Sequence, residues 1–314
     1  MTNQRREGRK ARTSGLGGET PVLPGEAGFS TLPMALTSEL FHEHGAGRKR
    51  RRGGSMQLAR RTTMPKALAV LVGLRKVNPA KYDGWDGTNG CWGCELDVDN
   101  VERILQPLKF QITALKSEKA TRRNVMKALA TATQLKKNDI FVFYYSGHGG
   151  QQPDQTGPKK DELDGKDETL VMYDGELRDD SLNDVWLKLK PGVRVVMLSD
   201  SCNSGTNYKA LRVDLTKPTP IAPLDAQAAR EMKGQLIHMG GCRDSRTSAG
   251  YASGGLFTMA LCNVWHGGTF KGDYKALYDA ISKVVTSEQP DQQPAYNEYG
   301  PVGPEFRQQK PFAV

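Results

Sequence analysis

A histidine and a cysteine stand in two glycine-containing turns of this chain, 54 residues apart. His148 lies in the segment Ser-Gly-His-Gly (146–149), and Cys202 lies in Asp-Ser-Cys-Asn-Ser-Gly (200–205). A cysteine attacks a carbonyl carbon as the thiolate, which is scarce at neutral pH unless a base takes the proton. His148 can be that base and can afterwards protonate a leaving amine. The pair therefore predicts nucleophilic acyl transfer.

Gly149 follows the histidine and leaves the backbone open to a ligand, since it has no side chain. The backbone N–H groups of Gly149 and Cys202 could both point at the oxyanion that forms during attack, so Gly149 joins the predicted catalytic residues. The alternative is that Cys202 is a small buried hydrophobic residue and His148 a satisfied turn residue. Because both residues follow apolar strands inside Gly-rich turns, we favour the catalytic interpretation.

The elements that must position these residues are short apolar segments alternating with amphipathic ones. Strands are predicted over 66–74, 110–115, 139–145, 169–173, 193–198 and 235–239, and helices over 97–108, 121–135 with Thr121 as N-cap, 180–189, 255–265 and 274–285. This order predicts an α/β fold, a three-layer sandwich whose mostly parallel central sheet has helices on both faces. Gly147 and Gly149 are predicted to end the third strand. Ligands in such folds bind beyond the carboxyl ends of the strands.

Residues 1–63 differ in composition from the rest of the chain. They are rich in Gly, Pro, Ser, Thr and Arg, and their twelve Lys and Arg against five Glu supply +7 of the formal net charge of +9. We predict a disordered basic tail. Its run Arg-Lys-Arg-Arg-Arg (48–52) could bind a polyanion weakly, although a solvated tail is the simpler interpretation. A start at Met56 or Met64 is a further alternative.

The remaining residues, 64–314, are predicted to form one domain. A proline-containing stretch, 208–234, reads as an exposed linker between a first part, 64–207, and a second part, 235–314. No stretch approaches the roughly 18 apolar residues of a membrane helix, and the N-terminus lacks the pattern of a signal peptide. Five cysteines, an odd number, argue against a disulfide framework. We expect a cytoplasmic protein.

Several segments together resemble the caspase superfamily and, within it, the metacaspases. They are YYSGHGG (144–150), LSDSCNSG (198–205), IHMGGCRDSRTSA (237–249) and GGLFTMAL (254–261). The resemblance spans roughly residues 66–296, and the His–Cys spacing is close to the about 50 residues found in caspases. The Gln-Ala-Cys signature of true caspases is absent. The resemblance implies a caspase-like fold and a cysteine endopeptidase acting through His148 and Cys202.

The resemblance also implies cleavage after Arg or Lys, because metacaspases place carboxylates where caspases place arginines. By motif position the implied substrate-binding residues are Asp97, Ser146 and Asp200. The Asp200 carboxylate could pair bidentately with a P1 arginine. The alternatives are a turn-forming role for Asp200 and, for Asp97, a carboxylate favoured by a helix dipole.

Calcium is a further implication of the resemblance. Calcium binds six to eight oxygen ligands. In calcium-dependent metacaspases the ligands occupy positions similar to Asp167, Asp179 and Asp180, and a further ligand follows the nucleophile, where this chain has Lys209 and, more loosely, Asp214. The alternative is a solvated acidic loop in which Asp179 or Asp180 caps the next helix.

The pair Cys91 and Cys94 forms a C-x-x-C motif, which is typical of a redox pair or of half a zinc site. We favour packing, because the sequence has no second pair with metal-ligand spacing and caspase-like proteins often have a cysteine where Cys94 stands. Basic residues in 208–234 are candidates for autoprocessing. A competing hypothesis is a catalytically silent caspase-like signalling or binding module. Resemblance to metacaspases favours a monomer.

Overall fold

The structure is a computed structural model that describes residues 64–153, 166–202, 226–241 and 253–314. Residues 61–314 form a compact unit. The predicted tail (1–63) and most of the predicted linker (208–225) lie outside the described residues. Those predictions and the alternative starts at Met56 and Met64 therefore stay predictions.

The central sheet contains six strands in the order β2-β1-β3-β6-β7-β8, and a β4–β5 hairpin continues from β3. All neighbours within the six-stranded part pair in parallel except β7 and β8. The strands are β1 Ala67–Gly73, β2 Gln111–Lys116, β3 Ile140–Pro153, β4 Lys166–Met172, β5 Gly175–Arg178, β6 Arg194–Cys202, β7 Gln235–Gly240 and β8 Ala295–Tyr299.

Helices cover both faces of this sheet, as the sequence pattern predicts. They are α1 Cys94–Leu105, α2 Arg122–Leu129, α3 Asp179–Trp186, α4 Ala226–Glu231, α5 Leu256–Trp265, α6 Tyr274–Glu288 and α7 Pro304–Arg307. One apolar core lies between the sheet and α2 and α3, and a second lies between the sheet and α1, α5 and α6. The predicted three-layer α/β architecture is therefore confirmed. Within the described ranges, no helix combines the length and apolar character that crossing a membrane requires.

The central strand β3 is apolar on both sides because it contributes to both cores. Phe143 and Tyr145 face the α2–α3 side, whereas Val142 and Tyr144 face the α1–α5 side, and all four are fully buried. This alternation follows from the two-residue period of a strand. Burying each such side chain stabilises the fold by about 1.5–3 kcal/mol.

The predicted end of β3 is wrong. Gly147 and Gly149 do not terminate the strand, which runs on to Pro153. Its backbone keeps a hydrogen-bonding neighbour throughout, β6 as far as His148 and β4 from Gly149 onward. Glycine weakens a strand but does not prevent pairing, and here the pairing decides.

Other boundaries also differ from prediction. The first helix begins at Cys94, three residues before Asp97. Thr121 is the N-cap of α2, as predicted, and its hydroxyl accepts a hydrogen bond from the Asn124 N–H at 3.2 Å. The last part of the predicted linker contains a short helix, α4, which the sequence pattern did not predict. Strands β5 and β8 and helix α7 were not predicted from the sequence, since each is short and lacks a strong apolar period.

Candidate active site

The pairing of β3 with β6 brings His148 and Cys202 to the same edge of the sheet. The parallel register matches Ser146 with Asp200 and His148 with Cys202. Neighbouring strands lie about 4.8 Å apart, so the two predicted catalytic residues are direct neighbours across the ladder. The Cys202 side chain lies outside the described residues. The backbone register thus supports the predicted pair through the position of both residues.

His148 is held by the loop that leads from β1 into α1. Its Nε2 lies 3.0 Å from the Gly87 carbonyl oxygen, and its ring packs edge-on against Trp85 with 4.9 Å between centroids. Because a carbonyl can only accept, the proton of the neutral imidazole sits on Nε2. Nδ1 is then the basic nitrogen. Burial lowers the pKa of His148, so the ring is neutral at neutral pH and can take a proton.

Gly87 was not predicted as a site residue, although its position requires glycine. Its φ of +76° lies in the left-handed region, and an added Cβ would meet Val77 at 3.1 Å. The turn is fixed by Asp86, whose Oδ1 accepts hydrogen bonds from the N–H (3.0 Å) and hydroxyl (2.9 Å) of Thr88. The Asp-Gly dipeptide is a recognisable turn signal, but nothing in it indicates that its carbonyl faces His148.

The three predicted substrate-binding residues meet beside this pair. Asp97 comes from the first turn of α1, and its Oδ2 accepts a hydrogen bond of 2.8 Å from the Ser146 hydroxyl. Both oxygens of Asp97 also lie within 3.0 Å of the Gly255 N–H. Asp200, opposite Ser146 in β6, accepts hydrogen bonds from the Thr258 N–H (2.9 Å) and hydroxyl (2.7 Å) through Oδ2. The structure therefore brings Asp97, Ser146 and Asp200 together.

Both carboxyl groups bind the N-terminus of α5. Gly255 is the N-cap of this helix and has no side chain with which to cap it. Asp97 and Asp200, from two distant elements, accept hydrogen bonds from N–H groups of the first turn instead. The positive end of the helix dipole favours carboxylates there. Convergence on one helix end explains how two like charges come to lie side by side.

Two consecutive glycines make room for these carboxyl groups. An added Cβ at Gly254 would overlap Asp97 Oδ1, and an added Cβ at Gly255 would overlap Asp200 Oδ2. Gly254 also has a φ of +118°, which disfavours any other residue. The Gly-Gly pair belongs to the segment GGLFTMAL (254–261), which resembles the metacaspases. Its physical role is to let α5 approach both carboxyl groups.

Burial makes both of these carboxyl groups weak acids, and repulsion from Asp200 adds to this effect at Asp97. Desolvation, followed by the charge of Asp200, raises the pKa of Asp97 to about 7, against the opposing hydrogen bonds from Ser146 and Gly255. Desolvation also raises the pKa of Asp200, against its bonds to Thr258. A bound cation would favour ionisation of both groups.

The predicted calcium ligands lie at the open end of the β4–β5 hairpin, away from its turn. Asp179 and Asp180 form the start of α3, and Asp179 Oδ1 accepts a 2.9 Å hydrogen bond from the Asp180 N–H. Asp167 lies in β4, where its backbone pairs with Gln152 of β3, and the β4–β5 ladder ends at Thr169 and Arg178, just before Asp179. The Asp167 side chain lies outside the described residues, as do Lys209 and Asp214.

The donor set at this hairpin consists of hard carboxylate oxygens, which fits the preference of calcium. Within the described ranges, no group of three or more His, Cys, Asp or Glu side chains is arranged to hold a metal ion. The calcium site stays a prediction, and neither Asp179 nor Asp180 is the N-cap of α3, since that position is Arg178. Asp179 and Asp180 occupy the first turn, where the helix dipole favours their charge.

The C-x-x-C motif forms the turn that starts α1. The Cys94 N–H donates to the Cys91 carbonyl at 3.2 Å, and both cysteine side chains are buried. Burial is the feature expected of the packing interpretation. Cys262 is half-buried with a free thiol, and Cys242 lies outside the described residues.

Comparison with known proteins identifies the class to which this fold and site belong. The model of the caspase domain, a peptidase family, matches residues 67–301. This chain therefore belongs to the caspase-domain peptidase family.

Individual relatives agree with the family model. Metacaspase-1 of Schizosaccharomyces pombe is 29% identical over 204 residues, covering 60% of this chain and 45% of the relative. Metacaspase-1 of Lodderomyces elongisporus is 37% identical over 156 residues, covering 44% of this chain and 33% of the relative. The chain thus spans less than half the length of these two curated relatives. A crystal structure of a Geobacter sulfurreducens protein superposes with a TM-score of 0.65 at 34% identity, covering 80% of this chain and 99% of that protein.

Proposed function

We propose that this protein is a cysteine endopeptidase that cleaves after Arg or Lys through a dyad of His148 and Cys202. The observation that carries the proposal is the register that matches His148 with Cys202 at the edge of the sheet, directly beside the carboxyl pair of Asp97 and Asp200. A nucleophile, a neutral base and a buried anionic pocket are the components that hydrolysis after a basic residue needs.

Proton transfer follows from the tautomer of His148. With its proton held on Nε2 by the Gly87 carbonyl, the ring offers Nδ1 to the Cys202 thiol. The thiolate attacks the scissile carbonyl, and the Gly149 and Cys202 N–H groups stabilise the oxyanion. The imidazolium then protonates the leaving amine as the tetrahedral intermediate collapses to a thioester. Water hydrolyses the thioester, with His148 again taking the proton.

Substrate selection follows from the pocket. Asp97 and Asp200 would bind a P1 guanidinium by charge-assisted hydrogen bonds, and Ser146 would orient Asp97. Arginine presents a fork of donors that matches two carboxyl groups, whereas lysine presents a single ammonium group. We therefore expect Arg to be preferred over Lys, and acidic P1 residues to be rejected.

Calcium regulation and autoprocessing are parts of the same proposal. Asp167, Asp179 and Asp180 would hold the ion, which when bound would neutralise these carboxylates and order the end of the β4–β5 hairpin. Basic residues in 208–234 would be the sites of self-cleavage. A cytoplasmic location, a monomeric state and weak polyanion binding by 48–52 complete the proposal.

The test is hydrolysis of fluorogenic peptides ending in Arg, Lys or Asp, with and without millimolar calcium, by the protein and its Cys202→Ala variant. We expect cleavage after Arg and Lys that the variant lacks, together with Cys202-dependent fragments of the protein itself. Cleavage after Asp would contradict the pocket assignment. Failure to cleave any peptide would favour the competing function, a catalytically silent signalling or binding module.

A further inference from the structure

Two consecutive tyrosines of β3 send their hydroxyl groups to different parts of the site. Tyr144 and Tyr145 are fully buried and belong to the two separate cores, because successive side chains of a strand point to opposite faces. Burial raises the pKa of both well above the usual value for tyrosine. Each hydroxyl therefore keeps its proton at physiological pH and acts as a hydrogen-bond donor.

The Tyr145 hydroxyl fastens the backbone at His148. Its oxygen lies 2.7 Å from the His148 carbonyl oxygen and 2.9 Å from the Val171 carbonyl oxygen of β4. Both carbonyls can only accept, so they share the single hydroxyl proton. At this point β3 exchanges its parallel neighbour β6 for its antiparallel neighbour β4. The Tyr145 hydroxyl thus joins β3 to β4 at the position of His148.

Gly147 leaves the space that this hydroxyl occupies. An added Cβ at Gly147 would lie 2.6 Å from the Tyr145 hydroxyl oxygen and 2.9 Å from the ring carbon that carries it. A side chain there would displace the hydroxyl or the strand. Gly147 and Tyr145 therefore form one arrangement that sets the direction of the backbone into His148.

The Tyr144 hydroxyl supports the carboxyl pair on the other face. It lies 2.6 Å from the Thr258 hydroxyl oxygen, which donates its own proton to Asp200 Oδ2 at 2.7 Å. Tyr144 is therefore the donor to Thr258. A chain of two hydroxyl groups then ends on a carboxylate, and each bond polarises the next.

We infer that Tyr145 is a positioning residue for His148 and that Tyr144 is a positioning residue for Asp200. One strand thereby supports proton transfer from one face and P1 binding from the other. The inference rests on the proposed function, because it takes His148 as the base and Asp200 as part of the P1 pocket.

The test compares the Tyr145→Phe and Tyr144→Phe variants in cleavage of a P1-Arg peptide. Tyr145→Phe should lower kcat by about tenfold and leave KM within about twofold, since a misplaced base slows the chemistry. Tyr144→Phe should raise KM by about fivefold and change kcat less, since it weakens ground-state binding. Equal effects of both variants on kcat and KM would overturn the division of roles.

Tyr82→Phe is the matched control for a merely structural effect. The Tyr82 hydroxyl is also buried and donates to the Met172 carbonyl at 2.5 Å, one residue beyond Val171 in β4. This variant loses a comparable bond to the same strand without touching the His148 carbonyl. We expect its melting temperature to fall as in Tyr145→Phe while kcat stays within about twofold of the unchanged protein. An equal fall of kcat in both variants would overturn the inference.

Alkylation of Cys202 by iodoacetamide, followed by mass spectrometry across pH, gives a readout that needs no peptide substrate. Tyr145→Phe should shift the pH profile of this reaction, because the thiolate depends on His148, whereas Tyr144→Phe should keep the original profile. If the unchanged protein cleaves no Arg peptide, the proposed function fails, and the alkylation profiles still decide the role of Tyr145. A profile unaltered by Tyr145→Phe would overturn that role.

Discussion

Two pairs of aspartates in this domain lie at helix N-termini, and they reach those positions in different ways. Asp179 and Asp180 belong to the first turn of their own helix, α3. Asp97 and Asp200 come from α1 and β6 and converge on the first turn of a third element, α5. The first pair is a local feature of the sequence, whereas the second exists only in the folded domain. We therefore expect the second pair to be the more sensitive to substitution and pH.

Replacement of a carboxylate in the pair that converges on α5, Asp97 and Asp200, should have the largest effect. On the proposed function, Asp200→Asn would lose the charge that faces a P1 guanidinium, and we expect kcat/KM for an Arg peptide to fall on the order of 100-fold, about 3 kcal/mol. The measurement is steady-state hydrolysis, with alkylation of Cys202 as the control for an intact dyad. A fall of less than about threefold, with the dyad intact, would contradict the assignment of Asp200 to the pocket.

Closing the space beside the pair should have the next largest effect. Gly255→Ala adds a Cβ that overlaps Asp200 Oδ2, and we expect a loss of about 1–3 kcal/mol in the free energy of unfolding and a rise of KM for Arg peptides. Gly303→Ala is the matched control, since Gly303 is also a helix N-cap, its φ is −86°, and an added Cβ there comes no closer than 3.8 Å to a neighbour. Urea unfolding of both variants distinguishes local overlap from a general effect of alanine.

A change of pH should have a smaller effect on P1 binding. We expect KM for Arg peptides to change by up to about tenfold per pH unit. Because the pKa of Asp97 is raised to about 7, the empty pocket gains a proton as the pH falls through 7. A guanidinium must displace that proton, so KM for Arg peptides should rise from pH 8 to pH 6. The Asp97→Asn variant should lack this rise at a higher overall KM. A rise that persists unchanged in the variant would assign the titration to another group.

The same raised pKa also sets the sign of a stability effect. The folded domain holds the Asp97 proton more tightly than the unfolded chain does, where its pKa is near 3.8. Its contribution to stability is therefore fully present below pH 3.8 and is lost as the pH rises towards 7. The difference between the urea unfolding midpoints at pH 5 and pH 8 should be smaller in the Asp97→Asn variant than in the unchanged protein. A larger difference in the variant would contradict the predicted loss of stability with rising pH.

Substitution in the pair at the start of α3, Asp179 and Asp180, should have the smallest effect. Asp180→Asn removes one favourable charge at the start of α3, worth about 0.3–1 kcal/mol, and should leave calcium-free activity within about twofold. If calcium binds at Asp167, Asp179 and Asp180, the calcium concentration for half-maximal activity should rise in this variant. Isothermal titration with calcium measures the binding directly, and an unchanged affinity would remove Asp180 from the ligand set.

The carboxyl pair also separates what sequence reasoning could find from what it could not. Asp97, Ser146 and Asp200 were reached through motif position, and the structure brings them together as expected. Sequence reasoning missed Gly87, Thr258 and Tyr145. Gly87 contributes the direction of its carbonyl group, Thr258 contributes donors at a helix N-terminus, and Tyr145 contributes a buried hydroxyl group. No residue type or spacing in the sequence encodes these long-range contacts.

The sequence by itself determined the α/β architecture and predicted a nucleophile and a base, because apolar periodicity and chemically distinctive residue types are local properties of a chain. It misjudged the end of β3, since Gly147 and Gly149 are strand-breaking only where no neighbouring strand pairs with them. The tertiary structure alone decided that β6 and then β4 supply that pairing, that Gly87 holds the His148 ring, and that α5 gathers two carboxylates. Each of these depends on atoms far apart in the chain, whose positions only the packed fold specifies.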